Sequence, residues 1–396
     1  MKRVVIYGTG REFKRLFSGG DMYEWMKGND ISIIGVANNN PDKFGKLVYI
    51  FESAYEITYI GDFKQDSYDY ILITSPYYFE EIKEFLVSLG VYENKIITVK
   101  GFIDQIINEA SECKYGISIA AIVKDEAAYI EEWIQFHILM GIDHFYIYDN
   151  ESSDGTAEIL KEYEKIGLVT YIFWPGKAQQ IPAYSNAINR FKNDSIYIAF
   201  IDVDEFLFSV SGNKIIDEVN QVLNQYEKVR AREEGIAAGI GVNWRTYGTS
   251  FYSSQSSELV IKRFMFRRKA NKEFNTYIKS ICNPRAVVRM EIHYADYVPG
   301  CCCISENGSE ITKSFFRDGR CKTLRINHYM SKSEEEFVKR KRKGDALGYK
   351  LKQSEEYIKS ALGSYQTVYN EHYDPVLVKY GNLVEKAIKK YRSEFT

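Results

Sequence analysis

The stretch Ile196-Tyr197-Ile198-Ala199-Phe200-Ile201-Asp202-Val203-Asp204-Glu205-Phe206 decides how this chain is read. Its first six residues are apolar and mostly β-branched or aromatic, the pattern of a strand buried on both faces of a parallel sheet. The acidic residues follow where such a strand runs out into solvent. In open α/β sheets, ligands bind at the carboxyl ends of the strands. Asp202 and Asp204 stand two apart, so an extended chain points both to one side. Carboxylates in that arrangement suit Mg²⁺ or Mn²⁺, which bind through one or two carboxylates plus substrate phosphates. Among 54 acidic residues such a pair arises readily by chance, and its place at the end of a buried strand is what singles it out.

Upstream, strand and helix patterns alternate from Gly116. An apolar strand over 117–123 leads through Lys124-Asp125-Glu126 into a helix whose apolar face carries Ile130, Trp133, Ile134 and Ile138, with Gly141 at its end. His137 shares that face and reads as a core histidine. A second strand, 144–148, ends in Asp149-Asn150-Glu151-Ser152-Ser153-Asp154-Gly155, and Ser153 or Asp154 can cap the next helix. A third strand, 168–174, and a helix entered at Pro182 lead to the Ile196 strand. Beyond Ile236 short strands alternate with polar loops, an antiparallel extension of the same sheet. The tail from Ser333 reads as helical, carries Lys339-Arg340-Lys341-Arg342-Lys343, and breaks near Asp374-Pro375.

Residues 1–112 form a separate doubly wound unit, with strands expected at 4–7, 31–37, 70–74 and 95–99 and helices from 11–18 and 79–89. Gly8-Thr9-Gly10 invites a dinucleotide reading. Against it, Phe13 replaces the third glycine of the fingerprint, and Asn38 stands where an acidic residue would hold a ribose. The expected domains are therefore 1–112, Rossmann-like; 113–345, the mixed-sheet domain; and 346–396, a helical C-terminal extension. The first is expected to be separable from the second.

The bulk properties exclude more than they identify. A net charge of −2 gives no reason to expect nucleic acid as a partner. No apolar run reaches the roughly 20 residues that span a bilayer, and the N-terminus enters a strand rather than a signal peptide, so a cytoplasmic location is expected. Six cysteines, three of them consecutive at Cys301, Cys302 and Cys303, lack zinc spacing and read as reduced thiols.

Six motifs, taken in order, give the chain a likeness. They are Ile122-Val123-Lys124-Asp125-Glu126, Glu132-Trp133-Ile134-Gln135-Phe136-His137, Phe145-Tyr146-Ile147-Tyr148-Asp149-Asn150, the Ile198 to Phe206 stretch, Lys279-Ser280-Ile281 and Ile326-Asn327-His328-Tyr329. Together they resemble a GT-A type glycosyltransferase, most closely family 92 and its family 2-like bacterial relatives, over about residues 116–345. Asp125 departs from the asparagine common there. The first unit resembles the Rossmann-like modules found beside bacterial sugar-transferring enzymes.

The resemblance implies transfer of a hexose from a nucleotide-sugar, a UDP-sugar, to a glycan or lipid-linked glycan acceptor with inversion, in surface polysaccharide synthesis. It places the nucleotide on Lys124, Asp125 or Glu126, and on Asp149 or Asn150, with Asp202 on the ribose. It implies Mn²⁺ or Mg²⁺ on Asp202 and Asp204, Asp204 the more direct ligand, with His328 as a third ligand and His293 as its competitor. Lys279, Arg320, Lys322 and Arg325 are cations that could face phosphate. The general base of an inverting enzyme must reach the acceptor hydroxyl, and Glu205, Asp296 and Glu306 are the carboxylates to consider. The run from Lys339 reads as a solvated helix face, or as a peripheral contact to the inner face of a membrane if the acceptor is lipid-linked. The rival readings are a nucleotide-binding oxidoreductase and a regulatory binding module, both built on the first domain.

Overall fold

The computed structural model describes residues 1–109, 113–229, 235–269, 273–317, 319–343 and 354–395. The first domain is a six-stranded sheet in the order Leu47–Ile50, Ser53–Tyr59, Ile31–Asn38, Lys2–Tyr7, Tyr70–Ile73, Ile96–Thr98. The five strands after the first are parallel neighbours, and the edge hairpin is antiparallel. Val4, Val5 and Ile6 have no exposed surface, as a central strand covered on both faces requires. The edge hairpin escaped the sequence reading because Leu47 and Tyr49 sit on its outer face and blur the alternation. Gly8 turns the chain with φ +97°, and a Cβ there would lie 2.8 Å from Thr74 Oγ1. The glycine thus serves the close approach of two strand ends. Phe13, in the fingerprint's third position, is buried in the domain core beside Phe17.

The second domain holds a ten-stranded mixed sheet. Its main path runs Glu205–Ser209, Leu324–His328, Ile236–Thr246, Ile278–Cys282, Ser195–Phe200, Tyr115–Val123, His144–Asp149, Val169–Phe173. The last four are parallel, linked by the crossover helices Ile130–Leu139, Thr156–Lys165 and Gln180–Phe191. Ile278–Cys282 runs against them, and this reversal brings a lysine to the mouth of the parallel half. The carboxyl ends of Tyr115–Val123, His144–Asp149 and Ser195–Phe200 share one edge, where the motif residues gather.

The C-terminal segment is no appendage. Helix Val378–Phe395 packs on Ile130–Leu139, placing Leu377, Val384 and Tyr391 in the main core, and Tyr391 stacks on Tyr163 at 4.0 Å. Its described part also contains a short strand, His372–Tyr373, paired with Phe266–Arg267. The three consecutive cysteines begin the strand Cys301–Ile304, and all six cysteines are thiols rather than disulfides.

The two domains share one apolar core. Phe102, Ile103 and Ile106 of the first lie in the same buried cluster as Ala286, Val287 and Met290 of the second. Trp25 Nε1 donates to Arg285 O at 2.7 Å, and Arg285 Nε and Asn283 Nδ2 donate to Ile107 O at 3.2 and 2.9 Å. A chain beginning at residue 114 would expose this apolar face, so the expectation of separability meets a continuous core. Calorimetry of the full chain should accordingly show one cooperative transition. Two resolved transitions would mean that the shared core does not couple the domains.

Candidate active site

The strand Ser195–Phe200 ends before the acidic residues, and the chain then reverses. Glu205 N donates to Asp202 O at 3.0 Å, and Asp202 N donates to Glu205 Oε2 at 2.9 Å, closing a tight turn. The turn is needed because Glu205–Ser209 must pair antiparallel with Leu324–His328, with Glu205 opposite His328. Its consequence is that Asp202 and Asp204 do not act as one pair. Each enters a different cluster.

Asp202 belongs to a buried network. Its Oδ2 accepts from Lys279 Nζ at 2.9 Å, and its Oδ1 accepts from Gln180 Nε2 at 2.9 Å and Tyr184 OH at 3.2 Å. Gln180 and Tyr184 sit one turn apart on a helix, so both reach the same carboxylate. Lys279 is fully buried, with Glu205 Oε2 at 3.7 Å and Ile292 O at 3.2 Å. Burial disfavours the Lys279 ammonium, but Asp202 and Glu205 outweigh it, and its pKa is raised. The Glu205 carboxyl is held well above the usual carboxylate range, first by burial, against the pull of Lys279.

Asp204 lies in the second cluster. Its Oδ2 is 3.4 Å from His328 Nε2 and accepts from Arg340 Nη1 at 2.8 Å. Burial opposes its ionisation, yet His328 and Arg340 together hold it well below the usual carboxylate range. His328 Nδ1 is buried without a hydrogen-bond partner, and the ring lies 4.2 Å from that of Trp244. His293, the competitor, also packs on Trp244, with ring centroids 5.2 Å apart, and has Nδ1 against Ile278 O at 3.2 Å. Burial, chiefly, lowers its pKa to about 4.

The rim is built from the loops after Tyr115–Val123 and His144–Asp149, which brace each other. Asp125, at φ +56°, accepts from Ser153 N at 2.9 Å and donates its own N–H to Ser152 Oγ at 3.0 Å. Asp154 accepts from Ala127 N at 3.0 Å and from Thr156 N at 3.1 Å, so it ties the loops together as well as serving the helix start. Asp149 is buried, accepting from Ser152 N and Tyr171 OH at 3.0 and 2.8 Å, while Asn150 Nδ2 donates to Trp174 O and Gly176 O, each at 2.8 Å. Lys332 Nζ lies 3.6 Å from Glu126 Oε2 and over the Tyr129 ring.

Placed on this frame, the expected residues separate. Asp204, His328, Asp202 and Lys279 come together at the strand ends, with Glu126 and Asp125 on the rim beside them. Asp202, expected on the cation and the ribose, is hydrogen-bonded through both oxygens, to Lys279, Gln180 and Tyr184. The three carboxylates considered as base each have partners of their own. Glu205 has no exposed surface and its Oε2 closes the turn. Asp296 pairs with Arg289, which also binds Asp21 of the first domain. Glu306 accepts from Lys322 N and Thr323 N, tying its turn to the segment that enters the strand Leu324–His328. Arg325 is buried with Asp374. The basic run is engaged too: Lys339 pairs with Glu335, Arg342 with Glu355, and Arg340 turns in to Asp204. Gln180 and Tyr184 carried no sequence signal that marked them, and Arg340 was marked only as part of the basic run. A cavity of about 380 Å³ lies apart from this chemistry, between the domains, lined by Asp30, Glu109, Lys192 and Arg285 among others.

Among the described residues no three His, Cys, Asp or Glu side chains form a metal cluster. Asp204 and His328 supply two donors on one side. That set does not suit a closed structural site, and it fits Mn²⁺ or Mg²⁺ completed by phosphate and water.

Residues 1–97 match the family described as C2185-like, N-terminal, and residues 114–395 match Glycosyltransferase family 92. The chain belongs to glycosyltransferase family 92. The family 92 match extends through Val378–Phe395, in agreement with the packing of that helix in the main core. This family 92 chain is similar to family 92 proteins of Oryza sativa subsp. japonica, 29% identical over 106 residues, and Arabidopsis thaliana, 25% identical over 190 residues. The alignments cover 26% and 46% of this chain and 18% and 32% of the relatives, so the chain matches a third or less of their length. Residues 1–349 of S. aureus TarS, solved in complex with UDP, align over 63% of this chain and 70% of that one, at 11% identity and a TM-score of 0.31. The family 92 match covers the domain with the ten-stranded mixed sheet, and the domain before it holds the six-stranded, largely parallel sheet. Among the described residues no helix is long and apolar enough to cross a membrane.

Proposed function

We propose that this protein is an inverting glycosyltransferase that moves a hexose from a UDP-sugar to a glycan or lipid-linked glycan acceptor, using Mn²⁺ or Mg²⁺. The observation that carries this is the convergence of Asp204 and His328 at the carboxyl ends of the parallel strands, inside the segment that matches family 92. In the reaction the acceptor hydroxyl oxygen bonds to the anomeric carbon as the bond from that carbon to the diphosphate breaks, the electron pair leaves with the nucleoside diphosphate, and the hydroxyl proton passes to a base or to water. When bound, the cation would offset the charge growing on that leaving group. Asp204 and His328 would hold it. Lys279 and Gln180 hold Asp202 at the same edge, where it would accept from a ribose hydroxyl, and the braced loops bearing Asp125 and Glu126 would wall the nucleoside. The UDP-sugar, the inversion and the acceptor class follow the family resemblance. Nothing at Gly8-Thr9-Gly10 favours the oxidoreductase reading, since Thr9 Oγ1 already accepts from Asn38 Nδ2 at 3.2 Å and the glycine turn serves strand packing.

Calorimetric titration of the full chain with UDP, with and without Mn²⁺, tests the reading. UDP should bind when Mn²⁺ is present and lose most of its affinity after chelation. Metal-independent binding of NAD, with none of UDP, would overturn it.

A further inference from the structure

Arg340 belongs to the basic run that the sequence presents as a solvated face, yet its guanidinium points into the site. Nη1 donates to Asp204 Oδ2 at 2.8 Å and to Met330 O at 2.6 Å. Oδ2 is the same oxygen that faces His328 Nε2. A positive charge of the chain's own therefore sits where the proposed cation would sit.

The backbone that carries it is firmly placed. Helix Glu334–Lys343 starts a few residues beyond His328, with a capping box in which Ser333 Oγ accepts from Glu336 N at 3.4 Å and Glu336 Oε2 accepts from Ser333 N at 3.1 Å. Phe337 is buried against Tyr369, and Glu334 N and Glu335 N donate to Tyr252 O and Ser253 O, each at 3.0 Å. The side chain of Arg340, in contrast, is half exposed. Asp204 keeps 13% of its side-chain exposure and Arg340 50%, so the guanidinium meets water on its outer side, and a long side chain on a fixed helix can swing to another partner that offers more acceptors. Guanidinium forks also match phosphate oxygens better than they match a single carboxylate oxygen.

We propose that Arg340 is a diphosphate-binding residue held on Asp204 while the site is empty. It leaves Oδ2 to the incoming cation and closes on the donor's phosphates. This rests on the reading of the site as a cation-dependent nucleotide-sugar site, and it adds a residue and a rearrangement to that reading. Two effects of opposite sign follow. Removing Arg340 removes a competitor for Asp204, so Mn²⁺ alone should bind more tightly. It also removes a phosphate contact, so UDP should bind less tightly.

The test is titration of wild type, Arg340→Gln and Arg340→Lys with Mn²⁺ alone, then with UDP and with uridine at saturating Mn²⁺, each variant's fold being checked by circular dichroism. For Arg340→Gln, Mn²⁺ alone should bind about threefold or more tighter, UDP about tenfold weaker and uridine unchanged, with Arg340→Lys between. Weaker binding of Mn²⁺ alone would show that Arg340 supports the cation site and would overturn the proposal. Unchanged UDP affinity would overturn it while leaving the glycosyltransferase reading intact, provided wild type binds UDP with Mn²⁺. Wild type that takes up Mn²⁺ but no UDP would overturn that reading and this proposal together.

Discussion

Asp204→Asn should reduce sugar transfer by roughly 100- to 1,000-fold, the scale on which removing one dedicated transition-state charge contact acts. Asparagine keeps the size of the side chain and one acceptor oxygen but removes the charge on which His328 and Arg340 converge. The backbone role survives, because it is Asp204 O that receives Tyr329 N at 2.8 Å. The fold should therefore remain, with a modest loss of thermal stability at neutral pH. The sign of that loss follows from the depressed carboxyl. Its contribution is present above its ordinary value of 3.8 and is lost as pH falls, so wild type and variant should converge in acid. Transfer assays with the cation titrated, beside melting curves at two pH values, make the measurement. A variant with near wild-type transfer would remove Asp204 from the chemistry.

Lys279→Met should be the most damaging change to stability. It strips the cation from two carboxylates, one of them, Glu205, fully buried. Breaking such a buried cluster from one side costs about 3–5 kcal/mol. The low end applies, since the Asp202 side chain keeps 33% of its exposure to water. The loss should depend on pH in a defined direction. Glu205 already sits above its ordinary 4.5, and losing Lys279 raises it further. A carboxyl raised by folding contributes stability that is present below its unfolded value and is lost as pH rises through its folded value. The variant should thus be nearer wild type at about pH 5 than at about pH 8. Adding Glu205→Gln should recover part of the loss at the higher pH. Denaturant melts at both pH values decide it. A single variant as stable as wild type at pH 8 would mean that the three groups are not coupled.

How much of this was legible beforehand differs from residue to residue. The strand Ser195–Phe200 and its parallel neighbours were readable because strands buried on both faces need continuous apolar runs, and the crossover helices because their apolar faces repeat at helical spacing. His328 was recognisable through its motif alone, and the structure sets it opposite Glu205 on adjacent strands. The edge hairpin from Leu47 was not legible, because one of its faces meets water and carries apolar side chains there. The split of Asp202 from Asp204 was not legible either. Spacing of two implies a shared side only while the chain stays extended, and here it turns.

By itself, then, the sequence determined the alternation of strands and helices, the place where the buried strand gives way to acid, and through its ordered motifs the family. These depend on neighbours in the chain, and local periodicity records them. Tertiary structure alone decided which cation meets which carboxylate. Lys279 reaches Asp202 because a distant strand runs antiparallel beside Ser195–Phe200, and Arg340 reaches Asp204 because a capped helix starts just past His328. It also decided that the N-terminal domain shares a core with the family 92 domain, since apolar faces such as those around Phe102 and Val287 look alike in sequence whether they meet each other or something else. Such pairings are set by packing between segments far apart in the chain, and no local pattern encodes them.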